Sequence, residues 1–222
     1  MRIGILGTGH VGRALASAWE RAGHDVAIGS RRPGDPDLLA ELEELVAAGV
    51  RVEGSAAAAA HAEVLVNATP GTASVALLGT IGAPALAGKV LLDVAVGFLA
   101  DGTPSHPVVS LGEEIQQAFP DTRVVKTFST IDRGVMVAPG SLEGPSTVFL
   151  SGEDAGAKQA VRGLLTDLGW SGDSVLDLGG IATARGQEHF ADLFVAVARA
   201  TGTYEFGIRI VLPAASPVGT GG

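Results

Sequence analysis

The stretch RIGILGTGHVG, residues 2–12, decides the fold. A strand-like run from Arg2 to Leu6 leads directly into the glycine pattern GxGxxG at Gly7, Gly9 and Gly12. The following residues are apolar at every third or fourth position, which predicts one buried face of a helix that ends near Gly23. A strand, a glycine-rich turn and a helix in this order predict the first unit of a dinucleotide-binding fold.

Each glycine of the pattern has its own physical purpose. Gly7 allows the tight turn, Gly9 lets the backbone approach a pyrophosphate, and Gly12 lets the helix pack closely on the strand. Free amide groups at the start of the helix then meet the negative charge. We therefore expect dinucleotide contacts from Gly7, Thr8, Gly9, His10, Val11 and Gly12.

Strand-like and helix-like segments alternate along the rest of the chain. Strands are predicted at residues 25–29, 51–53, 63–67, 89–93 and 123–126, with a helix at residues 37–48. This alternation predicts a parallel sheet with crossover helices. A second cycle begins near Ser146, with strands at residues 147–152 and 174–179, helices at residues 154–168 and 182–200, and a last strand at residues 206–211.

We therefore predict an α/β protein, a Rossmann doubly wound parallel sheet with a small C-terminal α/β portion packed on it. Residues 1–141 are assigned to the dinucleotide-binding domain and residues 142–212 to the small C-terminal portion, which completes a cleft. The Gly- and Pro-rich connector at residues 139–145 separates them. Residues 213–222, PAASPVGTGG, have nothing to bury and are predicted to be disordered.

Composition excludes several classes of protein. The 222-residue chain has a formal net charge of -9 and contains three lysines, which argues against binding to a nucleic-acid backbone. It contains no cysteine, so disulfides, cysteine-ligated metals and thiol catalysis are ruled out. No apolar run approaches the roughly 18 residues that a membrane span needs. We expect a cytoplasmic protein without a membrane partner and without a metal site.

The end of the second predicted strand indicates which dinucleotide is bound. A site for NAD usually carries an acid here, which accepts hydrogen bonds from the ribose 2′-hydroxyl. This chain instead reads GSRRPG at residues 29–34. Ser30 can donate to a phosphate oxygen, and the guanidinium groups of Arg31 and Arg32 can bind a phosphate through a planar fork. The sequence therefore predicts NADP.

Few residues are candidates for acid–base chemistry, and we assign no catalytic side chain. His10 falls in the phosphate loop, and His24, His61, His106 and His189 have no neighbours that suggest catalysis. Lys126 lies at the end of a predicted strand, where ligands bind in such sheets. Two interpretations remain open: it donates a proton to a small substrate, or its stem runs along the strand end to solvent.

Several segments resemble the NADPH-dependent coenzyme F420 reductases, also called F420H2:NADP oxidoreductases. The likeness covers nearly the whole chain. It rests on GILGTGHVGRALASAWERAGHDVAIGSRRP (4–33), VNATPG (66–71), KTFSTI (126–131), VFLSGEDAGAK (148–158), LDLGGIATAR (176–185) and FGIRIV (206–211).

The resemblance implies a function and a set of site residues. It implies that NADP is also contacted by Thr69, Pro70, Gly71 and Val75. It implies that the deazaflavin F420, the second substrate, lies against the nicotinamide in a cleft formed by Ala95, Phe98, Lys126, Phe128, Ser129, Phe206 and Gly207. Two positions depart from the family pattern: Phe128 replaces a histidine, and Asp35 stands where a basic residue follows the arginine pair.

The expected reaction is hydride transfer between NADP(H) and coenzyme F420, which needs two stacked rings and no nucleophilic side chain. One alternative is an NADPH-dependent reductase of a flavin or of a small carbonyl or imine compound, which would depend on Lys126 or Asp132. Another is a non-catalytic NADPH sensor. The apolar residues of the last helix predict a homodimer through this region; they are Phe190, Ala191, Phe194, Val195 and Ala198.

Overall fold

A computed structural model describes residues 1–213 of the chain and shows a six-stranded parallel sheet. The strands are β1 (Arg2–Leu6), β2 (Asp25–Ser30), β3 (Arg51–Gly54), β4 (Val64–Asn67), β5 (Val90–Asp93) and β6 (Arg123–Lys126). Their order in the sheet is β3-β2-β1-β4-β5-β6. The chain therefore adds strands first to one side of β1 and then to the other. This is the doubly wound Rossmann order, which confirms the predicted fold class.

Helices cover both faces of this sheet. They are α1 (His10–Arg21), α2 (Pro36–Glu41), α3 (Glu43–Ala47), α4 (Ser55–His61), α5 (Gly71–Ile81), α6 (Ala83–Leu86), α7 (Leu111–Ala118), α8 (Arg133–Val137), α9 (Ala155–Asp167) and α10 (Ala184–Thr201). The central strands are buried on both sides because their residues alternate between two cores. Ile3 and Ile5 of β1 belong to one core, and Leu6 belongs to the other.

The C-terminal portion adds a second, two-stranded parallel sheet of β7 (Val148–Leu150) and β8 (Val175–Asp177). An antiparallel bridge between Lys126 and Ser151 connects it to the end of β6. Two tryptophans also join the portions: the Trp19 indole donates to the Leu164 carbonyl, and the Trp170 indole donates to the Met136 carbonyl. The division at residue 141 remains a prediction, since one apolar core runs through both portions.

Two predicted elements are wrong. The helix at residues 37–48 is split into α2 and α3 at Leu42, which has φ -104° and ψ 10° and is buried. The strand at residues 206–211 does not form. Its one backbone bond to the neighbouring β7 region runs from the Thr147 amide to the Ile208 carbonyl, and its other backbone bond is local, from the Phe206 amide to the Tyr204 carbonyl. The Ile208 and Ile210 amides donate to the hydroxyls of Ser146 and Thr147 instead of to a strand.

Two further expectations concern the membrane and the C-terminal tail. Among the described residues, no helix has the length and apolar character that a membrane crossing requires. The tail predicted to be disordered comprises residues 213–222. Of these, residues 214–222 lie outside the described part of the chain.

Candidate functional site

The glycine pattern forms the turn between β1 and α1. Gly7 has φ 118°, and an added Cβ there would lie 2.4 Å from the Ala68 carbonyl oxygen. A Cβ on Gly12 would lie 2.2 Å from the Gly7 carbonyl oxygen. A Cβ on Gly9, in contrast, would meet no protein atom within 4 Å. Gly7 and Gly12 are therefore required by the fold, whereas Gly9 leaves open space beside the backbone at the start of α1.

This open space is part of a cavity of about 1060 Å³ over the carboxyl ends of the central strands. Ligand sites measure about 300–1,000 Å³, so this cavity is large enough for a dinucleotide and part of a second ring. Thirteen of the residues predicted for the site line its wall. They are Gly7, Thr8, Gly9, His10, Val11, Ser30, Arg31, Arg32, Thr69, Pro70, Ala95, Phe128 and Ser129.

Seven predicted residues do not line this cavity: Gly12, Gly71, Val75, Phe98, Lys126, Phe206 and Gly207. The wall also contains Asp132, on which the alternative reductase would depend, and residues that sequence reasoning missed, among them Leu38, Ser55, Arg133, Met136 and Phe194. Phe194 was noticed in the sequence only as part of an apolar helix face. The segment from Asp132 to Met136 directly follows KTFSTI (126–131), so its position after a strand end was the available signal for Arg133 and Met136.

The end of β2 forms the basic part of the cavity. The Ser30 hydroxyl accepts a bond from the Arg32 amide at 3.0 Å. The Arg32 guanidinium is mostly exposed and lies 2.5 Å from Asp35, which caps α2 by accepting from the Asp37 and Leu38 amides. Arg31 makes no ion pair with any residue in the range 1–213. The Arg31 guanidinium is therefore free to bind an anion at this end, whereas the Arg32 guanidinium is already paired with Asp35.

The middle of the cavity wall is fixed by hydrogen bonds and by close backbone contact. The Asn67 side-chain oxygen accepts from the Thr69 hydroxyl at 2.6 Å, and the Thr69 and Ser74 hydroxyls lie 2.9 Å apart. Gly71 begins α5 behind this wall. A Cβ there would lie 2.5 Å from the Gly97 nitrogen, so Gly71 is needed for backbone packing.

A matched pair of glycines in α5 tests this assignment. We expect Gly71→Ala to destabilise the protein by about 1–3 kcal/mol, because the new methyl group overlaps the Gly97 backbone. Gly79→Ala should stabilise it by about 0.5–1 kcal/mol, because Gly79 has open space and alanine favours the helix. Urea denaturation of the two variants would show the opposite shifts. Equal midpoints would contradict the assignment.

The far end of the cavity is aromatic and strained. Phe128 has φ 64°, a conformation that bulky residues rarely adopt. Its ring is almost fully buried and lies 6.2 Å from the Trp170 ring, centre to centre. The next residue, Ser129, has a buried hydroxyl without a hydrogen-bond partner among the described residues. The buried hydroxyl of the neighbouring Thr127 is likewise without a partner among the described residues, so this strained turn holds two unpaired hydroxyls behind the cavity surface.

Helix α10 supplies the opposite side of this end through Phe194. The Phe194 ring packs on Phe206 with ring centres 4.8 Å apart, and on Tyr204 at 5.9 Å. Phe206, which we predicted in the cleft, therefore supports the wall from behind.

Lys126 is fully buried, so the interpretation of a lysine that extends to solvent is wrong. Its ammonium nitrogen lies 2.9 Å from Asp93 and 2.9 Å from Glu188, and it also donates to the Ala95 carbonyl. Burial raises the pKa of Asp93, and the nearby Lys126 charge opposes that increase. This cluster lies behind the cavity wall.

The histidines do not form a catalytic arrangement on this wall. His10 lines the cavity, and the other four have partners elsewhere: His24 with Asp167, His61 with Asp25, His106 with Glu114 and His189 with the His106 carbonyl. Within residues 1–213, no three side chains of His, Cys, Asp or Glu converge as a metal site would require.

The fold and the site together define a dinucleotide-dependent oxidoreductase with a basic pocket at the end of β2. The sequence profile of the family described as NADP oxidoreductase coenzyme F420-dependent matches residues 2–97. A solved structure from Arthrobacter sp. FB24, described as a candidate F420-dependent NADP reductase, is 41% identical, with 96% of this chain and 100% of that chain covered and a TM-score of 0.87. The chain belongs to this family and is an NADP-dependent oxidoreductase.

More distant relatives share parts of the chain. The metalloreductase STEAP3 of Rattus norvegicus is 30% identical over 83% of this chain and 35% of its own length. The glycerol-3-phosphate dehydrogenase [NAD(P)+] of Desulfitobacterium hafniense (strain Y51) is 28% identical over 56% of this chain and 42% of its own. The chain thus spans less than half of either curated relative. A reductive aminase from Aspergillus terreus in complex with NADPH, 22% identical with a TM-score of 0.66 over 90% of this chain and 62% of that one, shares the fold.

Proposed function

We propose that this protein transfers a hydride reversibly between NADP(H) and the deazaflavin coenzyme F420. The observation that carries the proposal is a single cavity that extends from the glycine-rich turn to the aromatic end at Phe128 and Phe194. It provides room for a dinucleotide and part of a second ring, and hydride transfer between two cofactors does not require acid–base side chains. Membership of the family and the 41% identical relative support the choice of F420.

The residues of the wall fit NADP. Arg31 and Ser30 would hold the 2′-phosphate, and Arg32 would add a second guanidinium when it leaves Asp35. The open space at Gly9 and the free amides of the first turn of α1 would receive the pyrophosphate. Thr69 and Pro70 would contact the nicotinamide half. When bound, the cofactor supplies or accepts the hydride.

The aromatic end would hold the second ring. Ala95, Met136 and Phe194 provide apolar contact and exclude water from the site. The unpaired Ser129 hydroxyl is buried, so it would donate to, or accept from, a polar edge of that ring after its side chain turns toward the cavity. Phe128 contributes mainly by shaping this turn, since its own ring packs against Trp170. We therefore expect a polar contact from Ser129 where the family pattern has a histidine one position earlier.

The acceptor is tested by mixing the purified protein with NADPH and, in turn, F420, FMN, FAD and a set of ketones and imines. We expect F420 to be reduced fastest, followed through loss of its visible absorption. If FMN or a carbonyl compound is reduced while F420 is not, the alternative reductase is correct, and Asp132 on the cavity wall becomes its candidate proton donor. Tight NADPH binding without turnover of any acceptor would favour a sensor.

We also propose a homodimer, although through a surface that differs in part from the one expected. Ala191 and Ala198 of α10 are buried within the chain, so they are not available to a partner. Leu193 of the same helix is 56% exposed, and Tyr204 and Val211 beyond it are 53% and 79% exposed. These apolar groups support association through the C-terminal region. Light scattering at micromolar concentration should give twice the mass of one chain; a monomer would contradict the proposal.

A further inference from the structure

The ammonium group of Lys126 lies in a buried ionic cluster at the carboxyl end of β6. It donates to Asp93 Oδ2 at 2.9 Å and to the Ala95 carbonyl, and it forms an ion pair with Glu188 Oε1 at 2.9 Å. Lys126 and Asp93 are fully buried, and Glu188 is 4% exposed. Because the cluster is buried and satisfied, its atoms have one favoured arrangement.

One side of the cluster holds two segments of the cavity wall. Asp93 Oδ1 accepts from the Asn67 side-chain amide at 2.8 Å and from the Ala95 backbone amide at 3.2 Å. Asn67 in turn accepts from the Thr69 hydroxyl at 2.6 Å. Thr69 and Ala95 both line the cavity. The position of these two wall residues therefore depends on where Lys126 holds Asp93.

The other side of the cluster holds α10. Glu188 belongs to that helix and accepts from the amides of Leu111 and Gly112 at the start of α7, at 2.8 and 3.0 Å. Six residues further along α10, Phe194 forms part of the aromatic end of the cavity. The ammonium group of Lys126 thus connects the wall residues Thr69 and Ala95 with helix α10, which carries Phe194.

We propose that Lys126 is a positioning residue for the nicotinamide half of NADP, acting through Ala95, Thr69 and α10. The proposal rests on the orientation of NADP given above, with its nicotinamide toward the aromatic end. Lys126 does not line the cavity, so its effect on a ligand there would be indirect. Ser30, Arg31 and Gly9 make no bond to the cluster, so the half of the site for the 2′-phosphate is independent of it.

The test compares two ligands that share the adenosine half. One is NADPH, and the other is 2′-phospho-ADP-ribose, which has the 2′-phosphate and the pyrophosphate but no nicotinamide. In Lys126→Met we expect NADPH to bind about tenfold more weakly, as for the loss of one well-placed hydrogen bond, while affinity for 2′-phospho-ADP-ribose stays unchanged. Calorimetric titration measures both affinities without any acceptor.

Two further variants keep the test decisive. Lys126→Met leaves two buried carboxylates without a cation, so Glu188→Gln, which removes one carboxylate and keeps an acceptor, serves if the first variant does not fold. It should shift the affinity ratio in the same direction. Leu164→Ala in α9 is the matched control, since it creates a cavity in the core away from the site wall and should leave the ratio unchanged.

Parallel loss of both affinities, or no loss of either, would overturn the positioning role. It would also be overturned if the unmodified protein bound NADPH no more tightly than 2′-phospho-ADP-ribose, because the nicotinamide half would then have no contacts to lose. Failure of the proposed function looks different: F420 is not reduced by the unmodified protein, while the affinity ratio still responds to Lys126→Met.

Discussion

The double variant Ser30→Asp with Arg31→Ala is expected to weaken NADPH binding by about 100- to 1,000-fold and to leave NADH binding unchanged. Each charge-assisted bond to the 2′-phosphate contributes about 1.5–3 kcal/mol, and the new carboxylate repels the phosphate in addition. For NADH, bonds from the ribose hydroxyls to the new carboxylate would offset the loss of the Ser30 and Arg31 side chains. Titration of both dinucleotides by fluorescence measures the two affinities.

Arg32→Ala is the matched control for this change. Its guanidinium is already paired with Asp35 at 2.5 Å, and its side chain is 79% exposed, so part of its charge is not available to a phosphate. We expect a smaller loss than for Arg31→Ala alone, which should cost about 10- to 100-fold. Equal affinities of the unmodified protein for NADPH and NADH would contradict the assignment of this end of the cavity.

The sequence predicted the sheet well because its strands differ sharply from their surroundings. The buried run at residues 3–6, for example, is followed directly by the glycine pattern. Helices α4 and α5 were not predicted, because one is an alanine run, SAAAAAH, and the other is apolar on nearly every side. Neither has the contrast between two faces that a periodic pattern needs. Helix α7 did carry a signal, the capping box of Ser110 and Glu113.

The site was predicted only where it is local in sequence. Residues at strand ends, such as Ser30, Thr69 and Ala95, meet because the carboxyl ends of parallel strands share one edge of the sheet. Phe194 and Glu188 approach that edge through the docking of α10, which no local pattern encodes. One of the two interpretations of Lys126, the extension to solvent, was wrong for the same reason, because the sequence does not show that Glu188 packs against the strand-end ammonium group.

Gly9→Ala is expected to weaken NADPH binding while the fold is retained. The new methyl group meets no protein atom within 4 Å, so the fold should survive. Gly9 is the N-cap of α1, where alanine is less favourable than glycine, and we expect a loss of stability of at most about 1 kcal/mol. The methyl group would occupy the space through which the backbone approaches the pyrophosphate, so NADPH affinity should fall by about 10- to 100-fold.

Gly12→Ala is the informative comparison, because the two glycines belong to one pattern but face different neighbours. A Cβ on Gly12 would lie 2.2 Å from the Gly7 carbonyl oxygen, so this variant should lose stability before any ligand is added. Thermal unfolding without ligand and titration with NADPH together distinguish the two effects. If Gly9→Ala bound NADPH as tightly as the unmodified protein, the pyrophosphate would not lie at this turn, and the assignment of Gly9 to the dinucleotide site would be wrong.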